Sequence, residues 1–273
     1  MISPLLLILL SLPAGLLGAL TGLGGASILI PILVLLGLPL KTAIATGMVV
    51  IIATSSGSAA YVKEGLANVR AAMYLELFTI LGAIAGATIT SLLPSKPLYF
   101  LFAAFLLFSF FGLRGRPTQG QGEVVQDRLA RWLRLEGSYY DQELGRMVNY
   151  KLTNPVLGGL GMAFAGLAAG MLGIGAGAFK VSVHELILRM PPKVSTTTSN
   201  FIIGMTALAG ASVYFNSGLL YVDLAAPAAI GTALGAVLGS KFLPRMRGRT
   251  LRALFLALVL YLIAQMVLRG LAG

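Results

Sequence analysis

A glycine-rich break interrupts an apolar stretch, and it does so twice. It reads Thr21-Gly22-Leu23-Gly24-Gly25-Ala26-Ser27 in the first half of the chain and Gly173-Ile174-Gly175-Ala176-Gly177-Ala178-Phe179-Lys180 in the second. Lipid offers a backbone N–H or C=O no hydrogen-bond partner. Non-helical backbone at membrane depth therefore survives only where protein buries it or where it lines a wet cavity. Paired breaks at matching places in two repeats predict a transport site.

The composition makes membrane depth the right frame. With 57% hydrophobic and 11% charged residues and a mean hydropathy of +0.90, the 273-residue chain has too little polar side chain to cover a soluble globule. Uninterrupted apolar runs such as Leu98 to Leu113 and Leu251 to Leu268 suit helices and not the alternating pattern of a membrane barrel. The predicted fold class is all-α integral membrane. The first twenty residues are apolar but lack a basic n-region, and the repeat begins inside them, so they read as a mature segment and not a signal peptide.

Other chemistries are thinly provided for. The chain has no cysteine, which removes disulfides and thiolate chemistry, and its single histidine without clustered acids argues against a metal site. No Gly-Lys-Ser/Thr phosphate loop is present for ATP, and no cofactor is expected. The net charge of +11 sits in loops between apolar segments and not on one polar face, so it reads as positive-inside topology and not as nucleic-acid binding.

Laying the halves side by side exposes an internal repeat. Gly22-Leu23-Gly24 matches Gly173-Ile174-Gly175, and Pro39-Leu40-Lys41 matches Pro191-Pro192-Lys193. Thr46 matches Thr198, Gly82 and Gly86 match Gly235 and Gly239, and Leu98 matches Leu251. Residues 1–113 form the first membrane repeat, 114–153 a cytoplasmic linker and 154–273 the second repeat.

Each repeat is predicted to hold about five helical segments, near 3–20, 26–37, 42–62, 71–93 and 97–113, then 155–171, 177–189, 194–215, 224–243 and 250–269. The helix after each break has about 12 residues, roughly 20 Å, which is short of a hydrocarbon core of about 30 Å. Each first pair therefore reads as a helical hairpin with a glycine tip inside the membrane.

Counting Lys and Arg tests the topology. If the break reverses the chain, each half crosses an odd number of times and the second repeat is inverted. Sixteen basic residues then collect on one side against Lys41, Lys96 and Arg269 on the other, with Lys180 near a tip. The linker is thus expected to be cytoplasmic and both termini outside. Within it, Val125, Leu129, Trp132 and Leu133 share one face of a predicted amphipathic helix that either lies on anionic lipid or simply connects the halves.

A helix N-terminus carries unsatisfied N–H groups and about half a positive charge, so two tips meeting from opposite faces would make an anion site. Gly22, Gly24, Gly25, Gly173, Gly175 and Gly177 let backbone approach a ligand, with Ser27 and Lys180 adding donors. The alternative for glycine is close helix packing, which better explains Gly82, Gly86, Gly235 and Gly239.

An ionisable group in an apolar span points to function, and for Lys180 the bland readings are a local pair with Glu185 or snorkelling. Glu76 offers proton coupling or a partner for Lys180, and His184 a proton acceptor or a satisfied core histidine. Thr46, Thr198, Ser199 and Asn200 begin the spans after the hairpins, where they either line the path or cap and bond helices.

The run Gly22-Leu-Gly-Gly-Ala-Ser-Ile-Leu-Ile-Pro31, then Leu38-Pro-Leu-Lys-Thr-Ala-Ile-Ala-Thr46-Gly, resembles the sulfite exporter TauE/SafE family of anion transporters. Gly170-Met-Leu-Gly-Ile-Gly-Ala-Gly177 and Pro191-Pro-Lys-Val-Ser-Thr-Thr-Thr-Ser199 are similar to that family's second copy. The chain departs from the pattern at Ala176, where glycine is common, at Ser182, where copy one has proline, and in its long charged linker. The resemblance implies secondary transport of a small sulfur-containing anion such as sulfite, a sulfonate or sulfoacetate across the inner membrane. Lipid and a homodimer partner complete the expected set. A passive anion channel is the alternative; a membrane-embedded enzyme lacks a catalytic constellation.

Overall fold

The computed structural model describes residues 3–21, 25–55, 67–114, 126–141, 145–242, 260 and 263–271. Its helices are α1 (Pro4–Thr21), α2 (Ala26–Leu35), α3 (Leu40–Ser55), α4 (Val69–Leu92) and α5 (Ser95–Arg114) in the first half. In the second half they are α7 (Pro155–Leu172), α8 (Gly177–Ser182), α9 (Pro192–Asn216) and α10 (Val222–Phe242), and residues 263–271 are also helical. A π-helical turn, Val183–Ile187, continues α8. Among the described residues two helices, Val69–Leu92 and Pro155–Leu172, are long and apolar enough to cross a membrane by length and composition.

The linker departs from the amphipathic helix expected of it. Val125 lies outside the described residues; among those described between 126 and 151, only α6 (Arg128–Trp132) is helical, and β1 (Glu136–Asp141) and β2 (Arg146–Lys151) follow as an antiparallel hairpin. Ala130 is the residue α6 buries, while Trp132 is 78% exposed. The hairpin leaves little trace in the sequence because its alternation is short and its cross-strand pairs, such as Tyr139 with Val148, carry weak period-two contrast. Leu135, Tyr139, Val148 and Leu152 pack on Ala71, Met190 and Val194, so the hairpin docks over the ends of α4 and α9.

Two long crossings organise the bundle: α1 lies along α10, and α4 lies along α7. Small residues set both, because without side chains the backbones come close. A Cβ on Gly82 would stand 2.1 Å from the Ala163 carbonyl oxygen, and one on Gly166 would stand 2.2 Å from that of Thr79. In the other crossing, Gly235 backs onto the Leu12 carbonyl and Gly15 onto that of Thr232. These are the same contacts with the halves exchanged, since Gly15 aligns with Gly166, Thr79 with Thr232, and Gly82 with Gly235.

The main core surrounds α2 and α3, where Leu29, Ile30, Leu33, Ile44, Met48 and Ile51 are fully buried. Helix α9 packs on both α3 and α4 and thereby brings the two halves together. At one end of the bundle, the Lys41 ammonium donates to the Ser91 carbonyl at 2.9 Å and the Arg269 guanidinium to that of Leu35 at 3.3 Å. Cations at helix C-termini are favourably placed against the dipole.

Candidate functional site

The second glycine run, expected to be a hairpin tip, is built from left-handed backbone. Helix α7 ends at Gly173 (φ +67°), Gly175 repeats that conformation (φ +67°), and Ala176 (φ +46°) takes the N-cap position of α8. Glycine adopts that region without a Cβ clash. Gly173, Gly175 and Gly177 are all buried. A Cβ on Gly173 would meet the Ile44 carbonyl oxygen at 2.5 Å, and one on Gly175 the Ile203 side chain at 2.6 Å, so the tip is seated between α3 and α9. Ile203 lies near the middle of α9.

Of the first tip, Gly22 and Gly24 lie outside the described residues. Gly25 is buried with helical dihedrals against Ala14 and Gly15, and Ser27 is buried in the first turn of α2.

One turn beyond the second tip the chain carries its buried charge. Lys180 has no exposed surface and Glu76 only 2%. Their charged atoms stand 3.9 Å apart, too far for a direct hydrogen bond, and a threonine bridges them. The Thr206 hydroxyl accepts from the Lys180 ammonium and donates to Glu76 Oε1 at 2.7 Å, while Thr79 donates to Oε2 at 2.6 Å. Helices α4, α8 and α9 each contribute to this cluster.

The partner of Lys180 is thus Glu76, 104 residues away in sequence, and not the local Glu185. Thr206 and Thr79 were not singled out from the sequence. The available signal was Thr206 at the helical spacing 195, 199, 202 and 206 on one face of α9, and Thr79 three residues after Glu76.

Ser195, at the N-terminal end of that face, offers its carbonyl to His184 Nδ1 at 3.4 Å. His184 sits in the π-helical turn, where the ladder is widened and Met190 N–H reaches its carbonyl at 2.8 Å. Such turns occur often at functional sites. His184 Nε2, Ser199 Oγ and Thr46 Oγ1 are buried and find no hydrogen-bond partner among the described residues. Each is a polar group whose burial is costly unless something satisfies it.

Thr198 serves differently from its neighbours. Its hydroxyl accepts from the Asn68 backbone N–H at 3.0 Å, and Asn68 in turn caps α4 through Ala71 N–H and donates to the Tyr150 hydroxyl at 3.1 Å. Thr198 therefore ties α9 to α4 and to the docked hairpin. Burial pushes the Tyr150 phenol above its ordinary value of 10.0. Asn200 is half-buried on α9.

A family model described as sulfite exporter TauE/SafE matches residues 7–266. The chain belongs to the sulfite exporter TauE/SafE family. It is 26% identical over 276 residues to the probable membrane transporter protein YunE of Bacillus subtilis, with 97% of each chain covered. It is also 28% identical over 242 residues to the probable membrane transporter protein YdhB of the same organism, covering 87% of this chain and 89% of that one. No solved structure matches the chain. Membership places this TauE/SafE protein in a membrane, which fits its apolar helices.

Proposed function

We propose that this TauE/SafE protein is a secondary transporter that moves a small sulfur-containing anion, of the sulfite, sulfonate or sulfoacetate type, across the inner membrane. The observation that carries the reading is Lys180: a fully buried cation beside a left-handed glycine tip, between α3 and α9. A buried cation is costly unless paired, and a site that holds one is suited to a negative guest. Gly173, Gly175, Gly177, Thr46, Ser199 and Asn200 complete the second side of the site, with Gly22, Gly24, Gly25 and Ser27 supplying the first. Thr198 holds the frame.

The repeats are read as inverted. The exchanged glycine contacts of the two crossings support a two-fold relation between halves, and Lys41 and Arg269, assigned to the outer face, both cap helices at one end of the bundle. Rocking of one half against the other then exposes the site alternately, driven by protons, with Glu76 and His184 the two candidate coupling groups, of which one suffices.

Purified protein screened by thermal shift against sulfite, thiosulfate, sulfoacetate, taurine and matched carboxylates tests the substrate class. Stabilisation by sulfur oxyanions over carboxylates is expected. Flux in liposomes at channel rates, indifferent to a pH gradient, would replace the transporter with a passive anion channel.

A further inference from the structure

We propose that Glu76 is an exchangeable counter-anion: its carboxylate holds Lys180 in the unloaded carrier, and its protonation hands Lys180 to a substrate anion, so one proton travels with each monovalent anion. This rests on the anion-transport reading above and adds the group, the order of events and the stoichiometry.

The geometry is that of a displaceable partner. An ammonium has three donors. Lys180 spends one on Thr206, and the Glu76 carboxylate at 3.9 Å takes none directly, so among the described residues the cation retains donors for a second oxyanion. Glu76 does not depend on Lys180 for its hydrogen bonds, because Thr206 and Thr79 serve its two oxygens. Neither hydroxyl is tied to the carboxylate alone: Thr206 also lies 3.2 Å from the Ile202 carbonyl and Thr79 3.0 Å from that of Glu76, so each has another acceptor when the carboxyl is neutral.

Charge balance then enforces coupling. Unloaded, the site holds one carboxylate and one ammonium and sums to zero. Loaded, a proton delivered from water converts the carboxylate to a neutral acid with a new O–H bond, the anion pairs with the ammonium, and the sum is again zero. Taking the proton without the anion, or the anion without the proton, leaves one uncompensated charge in a buried site, which is heavily penalised. Only the two neutral states are therefore free to cross between orientations.

The repeat shows that this device exists once. The positions aligned with Glu76, Lys180 and Thr206 in the opposite half are Ala229, Leu29 and Thr54. Two of the three are apolar, and Leu29 is fully buried. A single buried acid among the described residues gives a single proton per cycle.

Among the described residues the titratable groups around Glu76 are few. Helix α7 has none, α8 brings Lys180, the π turn brings His184 and Glu185, and α9 has Lys193 and Tyr214 at its two ends. Arg70 and Tyr74 share α4, and Tyr150 of the hairpin contacts its N-terminal cap. His184 is the competing proton sensor and needs its own control.

The test uses the full-length protein and methanesulfonate, whose single charge does not titrate between about pH 5 and about pH 8. Wild-type affinity should tighten as pH falls, approaching tenfold per pH unit where Glu76 is ionised in the unloaded protein and levelling off once it is protonated, as one linked proton requires. Glu76→Gln should bind at any pH with the affinity the wild type reaches in acid. In liposomes it should exchange labelled anion but lose accumulation driven by a pH gradient. His184→Gln should keep the wild-type pH slope. Glu76→Gln/Lys180→Met, which leaves no buried charge unpaired, should fold and bind no anion.

Wild-type binding that is independent of pH, or gradient-driven accumulation that persists in Glu76→Gln, would overturn the exchange while leaving anion transport standing. A pH slope lost in His184→Gln would move the proton there and overturn it equally. Wild type that binds neither methanesulfonate nor sulfite would remove both readings together.

Discussion

Replacing Gly166 by alanine should force α4 and α7 apart. A Cβ there would stand 2.2 Å from the Thr79 carbonyl oxygen and 2.8 Å from both its carbonyl carbon and its Cα. Unstrained contacts lie near 3.5–4.0 Å, so the helices must separate by more than about 1 Å, and the obstacle is backbone that no rotamer change can move. A gap of roughly that width forfeits a quarter to a half of the dispersion attraction along the contact, and overpacking of this kind typically costs about 1–3 kcal/mol.

For a chain of this order, about 2–4 °C is lost per kcal/mol. Thermal unfolding of Gly166→Ala in detergent should therefore begin several degrees early. Gly235→Ala, whose Cβ would meet the Leu12 carbonyl oxygen at 2.0 Å in the other crossing, should lose a similar amount. Only Gly166→Ala displaces Thr79, whose hydroxyl holds Glu76 Oε2, so it alone should also alter the pH dependence of anion binding. Gly166→Ala with a wild-type melting temperature would refute the packing argument, and identical effects of both variants on binding would refute the link from crossing to site.

Lys180→Met alone leaves the Glu76 carboxylate buried without its cation and should destabilise by about 3–5 kcal/mol, most of it recovered when Glu76→Gln is added; additive losses in a double-mutant cycle would show that the two do not act as a pair. Lys180→Ala/Glu76→Gln should lose anion affinity while Lys96→Ala, at an exposed lysine, should not; isothermal titration separates the two. Ala176→Val should destabilise by roughly 2 kcal/mol or more and far exceed Ala176→Gly, because a β-branched side chain at φ +46° is strained; the reverse order of melting temperatures would contradict the left-handed tip.

Tyr150→Phe removes the acceptor for the Asn68 amide and should cost about 1 kcal/mol. Because the folded phenol titrates above the unfolded one, its contribution is present below the ordinary value of 10.0 and fades as pH rises through the folded value. Protease accessibility of the hairpin should accordingly rise at alkaline pH in the wild type, and a Tyr150→Phe profile with the same alkaline step would assign that step elsewhere.

Much of the helical frame was legible because long apolar spans leave little choice of conformation in lipid. The predicted segments near 71–93 and 155–171 correspond to α4 at Val69–Leu92 and α7 at Pro155–Leu172. The Gly82 and Gly86 spacing read correctly as helix packing, since both would place a Cβ within 2.3 Å of a facing backbone carbonyl. The linker was less legible. Its hairpin is stabilised by what it docks on, Ala71, Met190 and Val194, which lie far away in the chain.

The sequence by itself determined a helical membrane protein with two glycine breaks, a repeat, and isolated ionisable residues in apolar spans, because hydropathy, periodicity and the intolerance of lipid for unpaired backbone act locally. Only the tertiary structure decided that Glu76, Thr79, Lys180 and Thr206 meet, that Thr198 is a joint tied to Asn68, and that α1 crosses α10 as α7 crosses α4. Those pairings depend on which helices approach closely enough to exclude side chains. That is a property of packed surfaces, not of any one segment's composition.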